Sequence, residues 1–275
     1  MMSIPAPRDI DTSRPHSARM YDYYLGGKDH FEVDKQAAEA VAAAYPGIFM
    51  CAQENRSFMH RATRVLAREY GIRQWLDIGT GIPTEPNLHQ VAQAVVPDAK
   101  VVYADNDPLV LKYAERLMRS TPQGRTTYIE ADVNEPESLL NAPLLSEVLN
   151  VNEPVALSLN ALMHFVTDEQ DPYGIVNRLL DALPSGSALA LSHCTPDFDP
   201  STWQKVTDIY TNAGTPVQFR SRDDVARFFD GLELLDPGIT VGHRWRPDPP
   251  GEDATEAERP RDAQVSLWTG VGIKP

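Results

Sequence analysis

Cysteine is scarce in this chain, with only Cys51 and Cys194 among 275 residues. Two thiols so far apart in sequence are too few for a disulfide framework or a zinc cluster, and we expect two buried thiols and no metal site. Low cysteine usage is typical of proteins in reducing compartments, so we expect a cytoplasmic location.

Long apolar runs are also absent. No stretch approaches the roughly 18 uncharged apolar residues that suggest a membrane-spanning helix. The first nine residues include Pro5, Pro7, Arg8 and Asp9, and they lack the apolar core of a secretory signal. We therefore expect no membrane partner.

Basic residues are outnumbered: 25 Lys and Arg stand against 39 Asp and Glu, for a formal net charge of -14. Nucleic-acid binding draws its affinity from Lys and Arg that displace counterions from phosphates. An acidic chain without a basic stripe is therefore a poor candidate for general nucleic-acid binding, and we expect no nucleic-acid partner. A small-molecule or protein substrate is favoured, with the small molecule as our prediction.

Two parts follow each other along the chain. Residues 1–71 are predicted as an N-terminal helical extension, with helices over 34–44 and from about 51 to Gly71. Residues 72–275 alternate helices with short apolar strands, predicted at 74–78, 100–104, 127–131, 155–160 and 188–193. This alternation predicts an open α/β sheet of parallel strands with helices on both faces.

The C-terminal part has a different pattern. Segments 232–236 and 238–241 lead through the Pro- and acid-rich stretch 246–262 into 263–273, where polar and apolar residues alternate. We predict a terminal antiparallel strand pair joined by a long exposed loop. The loop is interpreted as a solvated linker, with a partner-binding loop as the alternative.

Ligands of open α/β sheets bind at the carboxyl ends of the strands. The first predicted strand leads into Gly79 and Gly81, which allow a tight turn whose amides suit a negative group. The second reaches Asp105, whose carboxylate can accept hydrogen bonds from both ribose hydroxyls, and the third is followed by Asp132, which can accept one from an adenine amino group. The set predicts a nucleoside site, although each residue alone is also consistent with a structural turn or cap.

This ordered set resembles the class I S-adenosylmethionine-dependent methyltransferases. The resemblance implies a Rossmann-like, mostly parallel seven-stranded sheet with a terminal antiparallel strand pair, and S-adenosyl-L-methionine as cofactor. It also implies that Asp77, Gly79 and Gly81 form the glycine-rich first motif, with Asp105 and Asp132 as ribose and adenine acids. The predicted cofactor-binding residues also include Thr80, Asn106, Val133 and Asn160.

Pro83 stands where the usual first motif has its third glycine. A more specific resemblance covers nearly the whole chain and rests on residues 19–29, 55–56, 76–84 and 101–108. These segments resemble a family of S-adenosyl methyltransferases from high-GC Gram-positive bacteria that was formerly catalogued as a domain of unknown function. The family implies the cofactor and the fold, and it supplies no agreed substrate.

Methyl transfer requires the donor sulfur, the methyl carbon and the acceptor atom in line, and some acceptors also need a base. The fourth predicted strand ends at Asn160, which we place near the methyl group, and His164 follows as candidate base. His193, at the end of the fifth strand, is a second catalytic candidate. Both histidines are also consistent with simple packing. Enzymes that methylate amino groups of nucleic-acid bases carry two prolines after the Asn, and this chain does not.

The segment 19–28 is predicted to be a lid over the cofactor. Gly26 would let the backbone fold over the ligand, and Arg19 or Lys28 could pair with its carboxylate. Tyr24 could lie against the positively charged sulfonium. The alternative is a tyrosine-rich helix packed on the sheet.

The functional prediction is a methyltransferase that acts on a small molecule by in-line transfer. A non-catalytic S-adenosylmethionine-binding sensor or interaction protein is the alternative. A nicotinamide oxidoreductase is disfavoured, because Thr84 stands where the dinucleotide fingerprint has its last Gly or Ala.

Overall fold

A computed structural model describes residues 10–113, 119–249 and 260–275. From residue 10 onward, three helices precede the first strand: α1 (Ser17–Tyr24), α2 (Glu32–Ala44) and α3 (Ile48–Glu69). The Asp34 carboxylate accepts hydrogen bonds from the backbone amides of His16 and Phe31, both at 2.8 Å. One side chain thus ties the entry of α1 to the first turn of α2.

The remaining part alternates strands and helices as the sequence predicts. In chain order its elements are β1 (Gln74–Ile78), α4 (Leu88–Val95), β2 (Lys100–Asp105), α5 (Pro108–Lys112), β3 (Arg125–Glu130), α6 (Pro136–Leu140), α7 (Pro143–Val148), β4 (Ala156–Asn160), α8 (Pro172–Asp181), β5 (Ala188–Cys194), α9 (Pro200–Asn212), α10 (Arg222–Ala226), β6 (Glu233–Leu234), β7 (Thr240–Val241), α11 (Asp262–Val265) and β8 (Leu267–Ile273). Short 3₁₀ turns lie at Met163–Phe165 and Asp168–Gln170.

The strands form one sheet in the order β3-β2-β1-β4-β5-β8-β6. Strands β1 to β5 are parallel, and β8 is antiparallel to β5. The short strands β6 and β7 both pair with the other edge of β8, so eight strand segments occupy seven positions. The mostly parallel sheet with antiparallel strands near the C-terminus is confirmed. The strand order reverses between β1 and β4, where open sheets of this kind bind ligands.

The end of the chain differs from its prediction. Residues 263–273 were expected to be one strand, but α11 occupies the first part and the strand begins only at Leu267. Ser266 separates the two elements with a φ of 40°. The predicted loop 246–262 falls largely on residues 250–259, which lie outside the described part of the chain.

Apolar side chains cover both faces of the sheet. Besides the apolar side chains on these two faces, a separate buried cluster joins the N-terminal helices to α9 and β8. Its members include Met20, Val41, Cys51, Trp203 and Leu267. The division at residue 71 stays a prediction, and the first three helices share a core with the rest. Within the described ranges, the helices do not combine the length and hydropathy that a membrane-spanning helix needs.

Candidate functional site

A cavity of about 560 Å³ lies at the carboxyl ends of β1 to β5. Its volume falls in the range typical of small-molecule sites. One end is lined by the loops after β1, β2 and β3, and the other by the loop after β4 together with helix α9. Helices α1 and α3 contribute residues to both ends. The cavity therefore spans the point where strand order reverses.

The turn after β1 is shaped by two glycines with left-handed backbone, Gly79 at a φ of 73° and Gly81 at 66°. The Gly79 amide donates to the Ala104 carbonyl at 2.8 Å, which places the turn against the end of β2. A Cβ at Gly79 would lie 2.7 Å from Leu162 Cδ1. Thr80 also lines the cavity, and its hydroxyl donates to the Asp77 carbonyl at 3.1 Å. The backbone thus approaches the cavity directly at this turn.

Asp105 is 6% exposed and forms the wall next to that turn. Its Oδ2 accepts from the Gly81 amide at 2.7 Å and its Oδ1 from the Asp107 amide at 2.9 Å. Burial raises the pKa of Asp105, and the two amides oppose that shift. A carboxylate has about four lone-pair sites, so each oxygen keeps capacity for one more donor. Both carboxylate oxygens can therefore still accept a hydrogen bond from a ligand.

Asp132 follows β3 and lies on the same cavity wall as Asp105. Its Oδ1 accepts from the amide of Asn134 at 2.9 Å, and its Oδ2 from the Asn106 side chain at 3.3 Å. Val133 is buried and lines the cavity beside them. The structure therefore brings the two acids and the glycine turn, predicted from three separate strands, to one cavity.

Asp77, the last polar residue of β1, also lines the cavity. Burial raises its pKa to about 6, while a hydrogen bond from Ser158 and the positive charge of Arg56 act in the opposite direction. Arg56 lies on α3 and donates to the carbonyls of Thr84 and, at 2.7 Å, Pro86. Arg56 also lines the cavity. It was not among the predicted site residues, although it lies in a segment that carries the family resemblance.

Two polar side chains after β4 lie where the two halves of the cavity meet. Asn160 donates to the Ser158 hydroxyl at 2.7 Å, and its Oδ1 accepts no hydrogen bond from the described residues. His164 lines the cavity, is 4% exposed, and its Nδ1 has no hydrogen-bond partner among the residues that the structure describes. Burial lowers the pKa of His164 well below its usual range, and nearby His193 and Arg220 lower it further. The imidazole is therefore neutral, and the same shift makes it a weaker base than a free histidine.

His193 does not line the cavity, contrary to its predicted catalytic role. Its Nδ1 donates to the Cys194 carbonyl at 2.7 Å, and its Nε2 faces Arg220 Nη1 at 3.2 Å. Burial lowers its pKa to about 3. Arg220 also donates to the Met163 and Val166 carbonyls, at 3.0 and 2.9 Å, so His193 belongs to the support behind the His164 turn.

The N-terminal candidates separate into two groups. Arg19 and Tyr24 line the cavity, whereas Gly26 and Lys28 are exposed and lie outside its lining. The Arg19 guanidinium is already paired with Asp107 through two hydrogen bonds, so it is not free for a ligand carboxylate. The prediction that Arg19 or Lys28 meets that carboxylate therefore lacks support in the geometry.

The far end of the cavity is aromatic and apolar, and sequence reasoning missed it. Its lining includes Phe165, Trp203, Tyr210 and Phe219. The buried thiols of Cys51 and Cys194 lie there as well, with their sulfurs 3.9 Å apart. These residues come from α3, α9, the end of β5 and two loops, and they share no sequence motif. Only their common position reveals them.

Comparison with known proteins places this geometry in context. A family model described as S-adenosyl methyltransferase matches residues 3–275. A solved DUF574 family protein from Streptomyces avermitilis is 48% identical, with a TM-score of 0.92 over 96% of this chain and 99% of that one. A candidate methyltransferase from Thermobifida fusca is 35% identical, with a TM-score of 0.88 over 99% of both chains.

More distant structures share the fold alone. Magnesium protoporphyrin IX methyltransferase from Synechocystis, solved with bound S-adenosylhomocysteine, is 14% identical, with a TM-score of 0.52 over 93% of both chains. No curated protein matches the chain.

Proposed function

The chain belongs to the S-adenosyl methyltransferase family, and from this premise we propose that it transfers a methyl group from S-adenosylmethionine to a small molecule held in the same cavity. The observation that carries the proposal is the position of Asp105, Asp132 and the Gly79 turn on one cavity that continues to His164. The cofactor supplies a methyl group bound to a positively charged sulfur. Low cysteine usage supports a cytoplasmic location for this activity.

The polar end of the cavity holds the cofactor in this proposal. Asp105 accepts hydrogen bonds from the two ribose hydroxyls. Asp132, together with Asn106 and Val133, borders the adenine. The backbone of the turn from Gly79 to Gly81 approaches the methionine part, while its amides remain bonded to Ala104 and Asp105. Asp77 receives its ammonium group, whose charge opposes the burial that raises the pKa of this carboxyl.

A small acceptor is favoured by the way the far end is covered. Helices α1 and α3 line the cavity there and share a buried core with α9 and β8. Tyr24 and Ile48 are 4% and 7% exposed, so these helices are part of the folded core beside the acceptor end. A duplex or a folded protein would have to displace them to reach His164.

The chain's contribution to the reaction is positioning and proton removal. Holding two reactants in line can supply a large part of a rate enhancement without a dedicated catalytic group. Asn160 offers its Oδ1 to the acceptor, and His164, whose Nδ1 has no partner among the described residues, takes a proton from an acceptor that must lose one. Tyr24 lies beside the sulfonium.

Calorimetry with S-adenosylmethionine tests the cofactor site. Asp105→Ala is expected to weaken binding by roughly a hundredfold, since it removes an acceptor of two hydrogen bonds. Asp98→Asn is the matched control, because Asp98 precedes the same strand, is exposed and pairs with Arg73. Equal affinity of the two variants would contradict the proposed site.

Turnover separates the enzyme from the sensor. Protein is incubated with methyl-labelled S-adenosylmethionine and a bacterial small-molecule extract, and S-adenosylhomocysteine is quantified. Label transfer that depends on His164 supports the proposal. Tight cofactor binding with no S-adenosylhomocysteine formed across extracts supports the non-catalytic alternative.

A further inference from the structure

We propose that the methyl acceptor is an uncharged aromatic molecule that is methylated on a hydroxyl group. This inference rests on the proposed function and adds the chemical class of the acceptor. It comes from the lining of the far end of the cavity, beyond Asn160 and His164.

Aromatic rings surround that end of the cavity. Phe165 lies 5.7 Å from Tyr210 between ring centroids, and Trp203 lies 4.5 Å from Phe219. His164 lies between the two pairs, 4.5 Å from the Phe165 ring and 5.7 Å from that of Phe219. Offset and edge-to-face contacts of this kind suit a flat aromatic guest. The candidate base is therefore next to the surface that such a guest would contact.

Charged side chains are confined to the opposite end. Among the described lining residues, Asp77 lies in β1, Asp105 ends β2 with Asp107 just after it, and Asp132 follows β3. The N-terminal arm adds Asp11, Arg14 and His16. Arg19 is paired with Asp107, and Arg56 donates to the carbonyls of Thr84 and Pro86. Arg220 lies behind the His164 turn and is bonded to backbone carbonyls and Asp168. An ionised acceptor would lose its hydration at the far end without a described counter-charge to replace it.

The available polar atoms suit a hydroxyl group. Asn160 Oδ1 can accept from it, and Nδ1 of His164, which has no partner among the described residues, can take its proton. In the reaction, the acceptor oxygen bonds to the methyl carbon while the carbon–sulfur bond breaks. The electron pair of the carbon–sulfur bond stays on sulfur, which becomes a neutral thioether. The hydroxyl proton passes to His164 and then to water. An ammonium acceptor would instead need an acid nearby to bind it.

Three probes of equal ring size separate the acceptor classes: 2-naphthol, 2-naphthoate and 2-naphthylmethylammonium. Calorimetry is run on the protein saturated with S-adenosylhomocysteine. We expect 2-naphthol to bind roughly tenfold or more tightly than either ion, because only the ions lose hydration without a partner. Equal or tighter binding of an ion would overturn the proposal.

Variants test whether the aromatic wall binds the probe. Phe219→Leu is expected to weaken 2-naphthol binding and leave S-adenosylhomocysteine binding unchanged. Phe198→Leu is the matched control, since Phe198 packs on Trp268 outside the cavity lining. Phe165→Leu replaces Phe219→Leu if the latter does not fold. Unchanged 2-naphthol affinity in a folded wall variant would contradict the assignment.

The product identifies the acceptor atom. With S-adenosylmethionine and 2-naphthol we expect 2-methoxynaphthalene, lost in His164→Gln even at 2-naphthol concentrations that saturate the variant. Binding of 2-naphthol without this product overturns the hydroxyl assignment. Binding of S-adenosylhomocysteine but of no probe overturns the acceptor class and leaves the proposed function standing. Failure to bind S-adenosylmethionine at all is a failure of the proposed function itself.

Discussion

Arg19 donates from Nε and Nη2 to the two carboxylate oxygens of Asp107, at 3.0 and 2.9 Å, and so joins α1 to the loop that follows β2. The pair is buried, with Arg19 3% and Asp107 0% exposed. Asp107 also donates its amide to Asp105. The first helix of the chain is therefore connected to the proposed ribose site through two residues.

Arg19→Met is expected to lower the free energy of unfolding by about 3–5 kcal/mol, because it leaves the buried Asp107 carboxylate without its guanidinium partner. Affinity for S-adenosylmethionine should fall as well, since the loop after β2 loses its support. Denaturant unfolding and calorimetry measure the two effects. Arg73→Met is the control: its pair with Asp98 is exposed, and it should cost less than about 1 kcal/mol. A loss in Arg19→Met no larger than in this control would contradict the prediction.

Cofactor binding should release a proton near pH 6. Burial raises the pKa of Asp77 to about 6, so this carboxyl is partly protonated there in the free protein. A bound ammonium stabilises the carboxylate and lowers that pKa, so the proton leaves and affinity rises as the pH increases through this range. Calorimetry in buffers of different ionisation enthalpy counts the protons. Asp77→Asn should abolish the release, and a release that persists in this variant would assign it to another group.

Asp77 also affects the pH dependence of folding in the free protein. Because its pKa is raised from 3.8 to about 6, its stabilising contribution is fully present below 3.8 and is lost as the pH rises through about 6. Asp77→Asn should therefore remove a decline in unfolding free energy across that interval. Denaturant unfolding at a series of pH values measures it, and an unchanged decline in the variant would contradict the assignment.

Gly79→Ala should weaken cofactor binding more than it destabilises the fold. The new Cβ would meet Leu162 Cδ1 at 2.7 Å, so the side chain of Leu162, which lines the cavity, must shift. We expect a stability loss of about 1–2 kcal/mol from the left-handed backbone and a further drop in affinity of roughly tenfold. Gly71→Ala is the control, with a φ of 67° and no atom within 4 Å of the new Cβ. Equal affinities of the two variants would show that Leu162 does not transmit the change.

The buried histidines should make folding sensitive to mild acid. Burial lowers the pKa of His164 well below 6.5 and that of His193 to about 3, so the unfolded chain binds protons at these rings before the folded chain does. Unfolding free energy therefore falls as the pH drops below 6.5, by up to about 1.4 kcal/mol per pH unit for each ring. His164→Gln and His193→Gln should each reduce this slope by about one proton. An unchanged slope in either variant would mean that its ring titrates normally in the fold.

Much of the sheet could be predicted from periodicity. The bounds of β1 match the predicted 74–78, and β3 begins two residues before the predicted start, at Arg125. Buried parallel strands appear as short apolar runs between helical segments, so their pattern is local. The predicted start of β8 was wrong because α11 occupies residues Asp262–Val265, and so short a helix gives no periodic signal in the sequence.

The sequence by itself determined the fold class and the polar end of the cavity. Parallel strands bring their carboxyl ends to one edge, so Asp105 and Asp132 had to lie near each other once the strands were recognised. Tertiary packing decided which side chains remain available. It pairs Arg19 with Asp107, 88 positions away, and turns His193 toward Arg220 while His164 faces the cavity. Such pairings depend on distances between elements remote in sequence, and a local pattern carries no information about them.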